Sequence, residues 1–195
     1  VTMCNKFGVS LCLYSLLIMS CFGIVFGKCP QITTKLGFDL SQYMGTWYEQ
    51  RRFPNFFQTK NSTCVFTNYK LEVDKSVSVF NAEKTKNGWS SVTGVALQPH
   101  PQSAPGELLV SFDGGKHYGP YNVIDTDYES YTCVYSCTKY GLITIENAWI
   151  LSRKRSLPQA QIETLIEKFR AFGIDTEKFQ ITSQPKQCDY ITPPN

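Results

Sequence analysis

The sequence predicts an all-β fold: an eight-stranded antiparallel up-and-down barrel with one C-terminal α-helix packed outside. Three observations predict it. From Met44 to Arg153, short runs rich in β-branched and aromatic residues alternate with turn residues. Beyond them the apolar spacing changes once, to a helical period, between Ile162 and Phe172. Finally, Gly45-Thr46-Trp47-Tyr48 opens the first run and Trp149-Ile150-Leu151-Ser152-Arg153 ends the last, so a guanidinium arrives where an indole begins. A cation over an indole face contributes roughly 0.5–2 kcal/mol when partly desolvated. That contact needs the first and last strands to be neighbours, as they are in a closed sheet.

The eight runs are Trp47–Phe53, Val65–Val73, Val77–Glu83, Trp89–Leu97, Glu107–Phe112, Tyr118–Asp125, Tyr131–Lys139 and Ile143–Arg153. Asp74-Lys75, Asn87-Gly88 and Asp113-Gly114-Gly115 fall between runs, where tight turns belong. Eight such strands close around an interior just large enough for one small ligand. In the helix, Ile162, Leu165, Ile166, Phe169 and Phe172 form the inward stripe. Ser156 with Gln159 has capping-box spacing and Gly173 stands at the stop, which implies about four turns. Phe179-Gln180-Ile181-Thr182 is expected to add a short strand, and the tail 191–195 to be unstructured.

Residues 1–27 read as a signal peptide. Lys6 is followed by an uncharged run from Val9 to Val25, and Val25-Phe26-Gly27 suits a signal peptidase. A membrane anchor is the competing reading; the Cys29-Pro30 pair and the lack of a flanking basic cluster oppose it. Residues 28–190 are then one domain with its own core. Without Lys6, the 19 Lys+Arg become 18 against 16 Asp+Glu, a near-neutral balance that argues against a nucleic-acid binder. No later stretch is apolar enough to span a bilayer, so no integral membrane segment is expected. Of eight cysteines, three leave with the signal; Cys29, Cys64, Cys133, Cys137 and Cys188 remain. In an exported chain these make two disulfides and one spare thiol. No zinc-type spacing occurs. Asn61-Ser62-Thr63 is a glycosylation sequon in a surface loop.

Three blocks, Gly45-x-Trp47, Thr126-Asp127-Tyr128 and Arg153, resemble those of a kernel lipocalin in order and spacing. The resemblance runs from Cys29-Pro30 to Cys188. It is strongest toward the apolipoprotein D-like branch, with the insect bilin-binding and crustacean carotenoid-binding lipocalins, in Thr126-Asp127-Tyr128-Glu129-Ser130-Tyr131 and Val134-Tyr135-Ser136-Cys137. The resemblance implies disulfides Cys29–Cys137 and Cys64–Cys188. Cys133 departs from the apolipoprotein D pattern and is left as an inert buried thiol or an intermolecular link.

Parity places Ile145, Asn147, Trp149 and Leu151 on one face of the last strand, Tyr121 and Val123 together on the sixth, and Val77, Val79 and Asn81 on the third. In the resembled branch, residues matching Asn81, Tyr121 and Trp149 line the ligand pocket. The expected ligand set is therefore Asn81, Tyr121, Val123, Asn147, Trp149 and Leu151. Together with the resemblance, this implies a secreted carrier of a lipid, fatty acid, sterol, bilin or carotenoid, needing no cofactor and performing no catalysis. Phe53-Pro54-Asn55-Phe56-Phe57 would be a lid, a patch for lipid particles or a second subunit, or rings folded over the rim. The alternatives are haem held by His117 and a pigment complex clasping a carotenoid or bilin between subunits, as a homo-oligomer joined through the aromatic loop or Cys133.

Overall fold

A computed structural model describes residues 27–193 of the chain. The expected export segment lies outside the described residues, Gly27 excepted. The strands are β1 (Gly45–Arg52), β2 (Thr63–Leu71), β3 (Val77–Thr85), β4 (Gly88–Leu97), β5 (Glu107–Ser111), β6 (Gly119–Thr126), β7 (Tyr131–Tyr140), β8 (Ile143–Ser152) and a two-residue β9 (Gln180–Ile181). Each of the first seven pairs antiparallel with the next, and β1 also pairs with β8, so the sheet closes as expected. No sequence signal marked the one-turn helix α1 (Leu40–Tyr43), which the Asp39 carboxylate caps by accepting from the amides of Ser41 and Gln42.

A bulge at Gln50 in β1 shapes the open end. Glu49 pairs with Leu151, but Arg51 rather than Gln50 pairs with Ile150, and Arg52 faces Trp149. The extra residue puts Glu49 and Arg52 on one side of the strand, where strict alternation would separate them. β1 and β2 are in register only from Gly45 to Tyr48. Beyond that they diverge and the C-terminal segment fills the gap: β9 pairs with Arg51 and Arg52, and Gln184 Nε2 donates to the carbonyls of Glu49 and Val65.

The helix α2 (Gln159–Arg170) presents Ile162, Leu165 and Phe169 to the outer barrel wall, where Tyr135, Ala148 and Ile150 receive them. Burying three such side chains contributes about 2 kcal/mol each. The expected capping box is absent. Pro158 occupies the N-cap position with no side-chain cap bond, because its ring fixes an extended entry two residues after Ser156. The helix is therefore 12 residues long, shorter than expected. Its stop is as read: Gly173 has φ +73°, and the amides of Gly173 and Ile174 donate to the carbonyls of Arg170 and Phe169.

Both disulfides have the expected pairing, Cys29–Cys137 and Cys64–Cys188, each with Cα atoms 5.7 Å apart. They close loops of 108 and 124 residues, worth roughly 4–5 kcal/mol each in the chain-entropy model. Cys133 lies fully buried beneath α2, and burial pushes its thiol pKa up. The intermolecular link is thereby corrected: no partner thiol reaches this sulfur without lifting the helix. Ile191, expected to be unstructured, instead packs with Tyr190 against Phe66, Phe80 and Ala82.

Candidate ligand-binding site

The closed end is built from the three blocks. Trp47 is fully buried, and the Arg153 guanidinium carbon lies 3.7 Å from its ring centroid. Arg153 also donates to the carbonyls of Tyr128, Thr46 and Gln42, at 2.9, 3.0 and 3.0 Å. Asp127 accepts from the amides of Glu129, Ser130 and Tyr131, and Thr126 Oγ1 donates to Tyr131 O, so the β6–β7 turn is set to present Tyr128 O to the guanidinium. Gly45 has φ +91°, and a Cβ there would sit 3.3 Å from Arg153 Nη1. Above this plug Tyr43, Phe38 and Val123 fill the bottom of the barrel.

Three phenols form the floor of the space above. Tyr121 Oη is 3.0 Å from Tyr43 Oη and 2.8 Å from Tyr69 Oη, and Tyr43 Oη is 3.1 Å from Thr132 Oγ1. Each hydroxyl has one proton to donate, so this relay leaves either a donor or a free lone pair at Tyr69. Burial pushes all three phenol pKa values up, and they stay neutral through the physiological range.

Over the floor opens a cavity of about 520 Å³, lined by Thr67, Tyr69, Val79, Asn81, Tyr121, Asn147, Trp149 and Leu151, with Phe56, Phe57 and Phe112 at the mouth. The volume is within the range of small-molecule sites. Thr67 Oγ1 is the one buried side-chain polar atom without a hydrogen-bond partner among the described residues.

The β1–β2 loop roofs one side. Phe53 leaves it to pack under Phe179 on the helix side, while Phe57 stays 6.3 Å from the Trp149 ring and Phe56 is 84 % exposed. Gln58 is the hinge pin of this loop. Its Nε2 donates to Glu49 Oε2 at 2.8 Å, and its Oε1 accepts from Trp149 Nε1 at 3.2 Å and Asn55 Nδ2 at 2.7 Å. Glu49 is buried and also accepts from Arg52 Nη1 at 2.9 Å and Thr182 Oγ1 at 2.5 Å. Burial pushes the Glu49 carboxyl pKa up, against the pull of Arg52 and the other donors.

Residues 38–184 match the family model of the lipocalin-like domain. The chain is a lipocalin. It is 36% identical over 168 residues to apolipoprotein D of Cavia porcellus, covering 85% of this chain and 87% of that one. Among solved structures it is similar to lobster apocrustacyanin A1 (23% identity, TM-score 0.72, 84% and 92% coverage). It is also similar to insecticyanin of the tobacco hornworm Manduca sexta (25% identity, TM-score 0.70, 82% and 88% coverage).

Five of the six expected wall residues, Asn81, Tyr121, Asn147, Trp149 and Leu151, do line the cavity of this lipocalin. Val123 does not. It is fully buried in the lower core with Trp47, Tyr43 and Leu151, below the phenol floor. Val77 likewise belongs to the lower core. His117 is on the exposed β5–β6 loop with Nδ1 2.6 Å from Asp113 Oδ2, and is not on the wall. Among the described residues, no group of three metal-binding side chains occurs. Asn61 is exposed at the foot of the β1–β2 loop. Sequence reasoning missed Tyr43, Thr67, Tyr69, Gln58 and the Glu49–Arg52 pair. Alternation along β2 offered a signal for Thr67 and Tyr69, both buried; nothing short of the bulge pointed to Glu49 with Arg52.

Proposed function

We propose that this lipocalin is a secreted carrier of one small hydrophobic molecule, held in the barrel and chemically unchanged. The observation that carries the reading is the cavity of about 520 Å³ above a sealed floor, apolar along most of its wall and polar at a few points. Burying about 300 Å² of apolar ligand contributes on the order of 7 kcal/mol before the costs of association. Affinity then depends on the cup being preformed, and the two disulfides and the Arg153 plug keep it so. Selectivity falls to Asn81, Asn147, Thr67 and the tyrosine relay, which together meet a ligand end carrying a carbonyl or hydroxyl. The ligand class that fits is a flat or elongated apolar molecule with one or two polar ends: a bilin, carotenoid, sterol or fatty acid. Export agrees with both disulfides, which persist in an oxidising compartment, and Asn61 is accessible for a glycan.

The test is native mass spectrometry of the protein purified from its source, followed by organic extraction. One hydrophobic molecule per chain is expected. A bare protein that also fails to take up any member of a bilin, carotenoid, sterol and fatty-acid panel would overturn the reading.

A further inference from the structure

The hydrogen bonds of the phenol floor have a direction, and it is set at their far end. Thr132 Oγ1, fully buried on β7, lies 3.5 Å from the carbonyl oxygen of Asp125, which can only accept. With the Thr132 proton committed there, its oxygen accepts from Tyr43 Oη at 3.1 Å, Tyr43 accepts from Tyr121 at 3.0 Å, and Tyr121 accepts from Tyr69 at 2.8 Å. Burial keeps all three phenols neutral, so each has one proton, and the relay uses every one. It ends at Tyr69, which lines the cavity and is left with free lone pairs and no proton to give. Two residues away on the same face of β2, Thr67 also lines the cavity; it is only 7 % exposed, and its hydroxyl has no partner. The inner end of the cup therefore offers one oxygen that only accepts and one hydroxyl that can also donate.

Charge narrows the choice. The wall carries two carboxylates, Glu49 and Glu83, and among the described residues no Lys, Arg or His lines it. Glu49 is paired with the buried Arg52, and Glu83 accepts from the amide and hydroxyl of Thr59. A carboxylate brought inside finds no free cation and faces two acids, and an unpaired ion in a dry cavity is strongly disfavoured. A carboxylate left at the rim turns its hydrocarbon end to the floor, where Thr67 and Tyr69 both stay unpaired.

We infer that the cup selects an uncharged ligand whose inner end is a hydroxyl, donating to Tyr69 Oη and accepting from Thr67 Oγ1, and discriminates against carbonyl and carboxylate ends. This rests on the carrier reading and narrows it to alcohols: a sterol or a hydroxylated carotenoid fits, and a free fatty acid does not. A carbonyl oxygen can accept from Thr67 but has nothing to donate to Tyr69, and a buried acceptor left without a partner costs about tenfold in affinity. The discrimination is set at a distance, since Thr132 does not line the cavity yet fixes which way the phenol protons point.

The experiment is calorimetric titration of the mature protein, freed of ligand, with retinol, retinal and retinoic acid, which share one skeleton and differ at one end. Retinol should bind tightest, retinal about tenfold more weakly, and retinoic acid at least about 100-fold more weakly at neutral pH. Tyr121→Phe interrupts the relay and returns a proton to Tyr69 while keeping the ring that stacks on Trp149, so it should move the preference toward retinal by about tenfold. Thr132→Val, which removes the anchor without touching the cavity, should move it the same way; loss of packing alone would weaken all three ligands alike. Equal affinity of the parent for alcohol and aldehyde, tighter binding of the acid, or a preference that neither variant moves would overturn the inference and leave the carrier reading standing. Uptake of none of the three would also overturn it, and native mass spectrometry of the source protein then shows whether the carrier reading falls with it.

Discussion

Trp149→Ala is the perturbation that separates wall from scaffold. The indole sits opposite Arg52 in the β1–β8 register, lies over Tyr121 with ring centroids 6.4 Å apart, and donates to Gln58 Oε1 at 3.2 Å. A Trp side chain buries about 200 Å², and if half of it meets the ligand, truncation removes about 100 Å² of apolar contact. At about 25 cal/mol per Å² that is roughly 2.5 kcal/mol, or about 70-fold in Kd. Gln58 also loses one partner but keeps Glu49 and Asn55, so the loop stays closed. Calorimetric titration with the ligand recovered from the source protein measures the effect without relying on tryptophan emission. An unchanged Kd would refute the placement of the ligand against this wall. A collapse of the melting transition would show instead that the indole is scaffold.

Three further outcomes follow from the same contacts. Arg153→Ala removes the cation over Trp47 and three bonds to backbone carbonyls, and should cost about 3 kcal/mol in chemical denaturation; a variant within 0.5 kcal/mol of the parent would contradict the plug. Thr67→Val removes an unpartnered buried hydroxyl and should stabilise the empty protein by about 1 kcal/mol while weakening ligands with a polar end; loss of stability would mean the hydroxyl is satisfied. Asp125 ties the N-terminal arm through Lys35 and the helix through Lys168. Burial pushes its carboxyl up, but hydrogen bonds from Lys168, Tyr131 and Lys35 outweigh this and lower its pKa from 3.8. A lowered folded pKa means stability that is complete above the unfolded value and is lost as the pH falls through the folded one. Asp125→Asn should therefore flatten the fall in stability below about pH 4, and an unaltered acid limb would count against those ties.

The barrel was legible because closure leaves a two-ended trace in the chain. A strand opening on Gly45 and Trp47 and another ending on Arg153 can meet only if the sheet returns to its start, and the turn residues between them fix eight strands. Alternation then found the wall wherever strands run regularly, as in β8. It failed where regularity fails. Gln50 bulges, so no period-two reading could bring Glu49 and Arg52 together. Val123 has the correct parity but lies too deep, because alternation assigns a face and says nothing of height along the barrel axis. Ser156 and Gln159 have capping spacing, yet Pro158 between them dictates a later start. The β1–β2 loop was unreadable for a related reason: Gln58 acts through partners 9 and 91 residues away in sequence, contacts that only the register supplies.

The most direct test of the carrier account is the crystal structure of the protein bound to the molecule extracted from it. The account predicts a single ligand inside the barrel, above Trp47, bounded by Tyr121, Asn81 and Trp149. A ligand found between subunits or on the outer surface, with the interior empty, would contradict it.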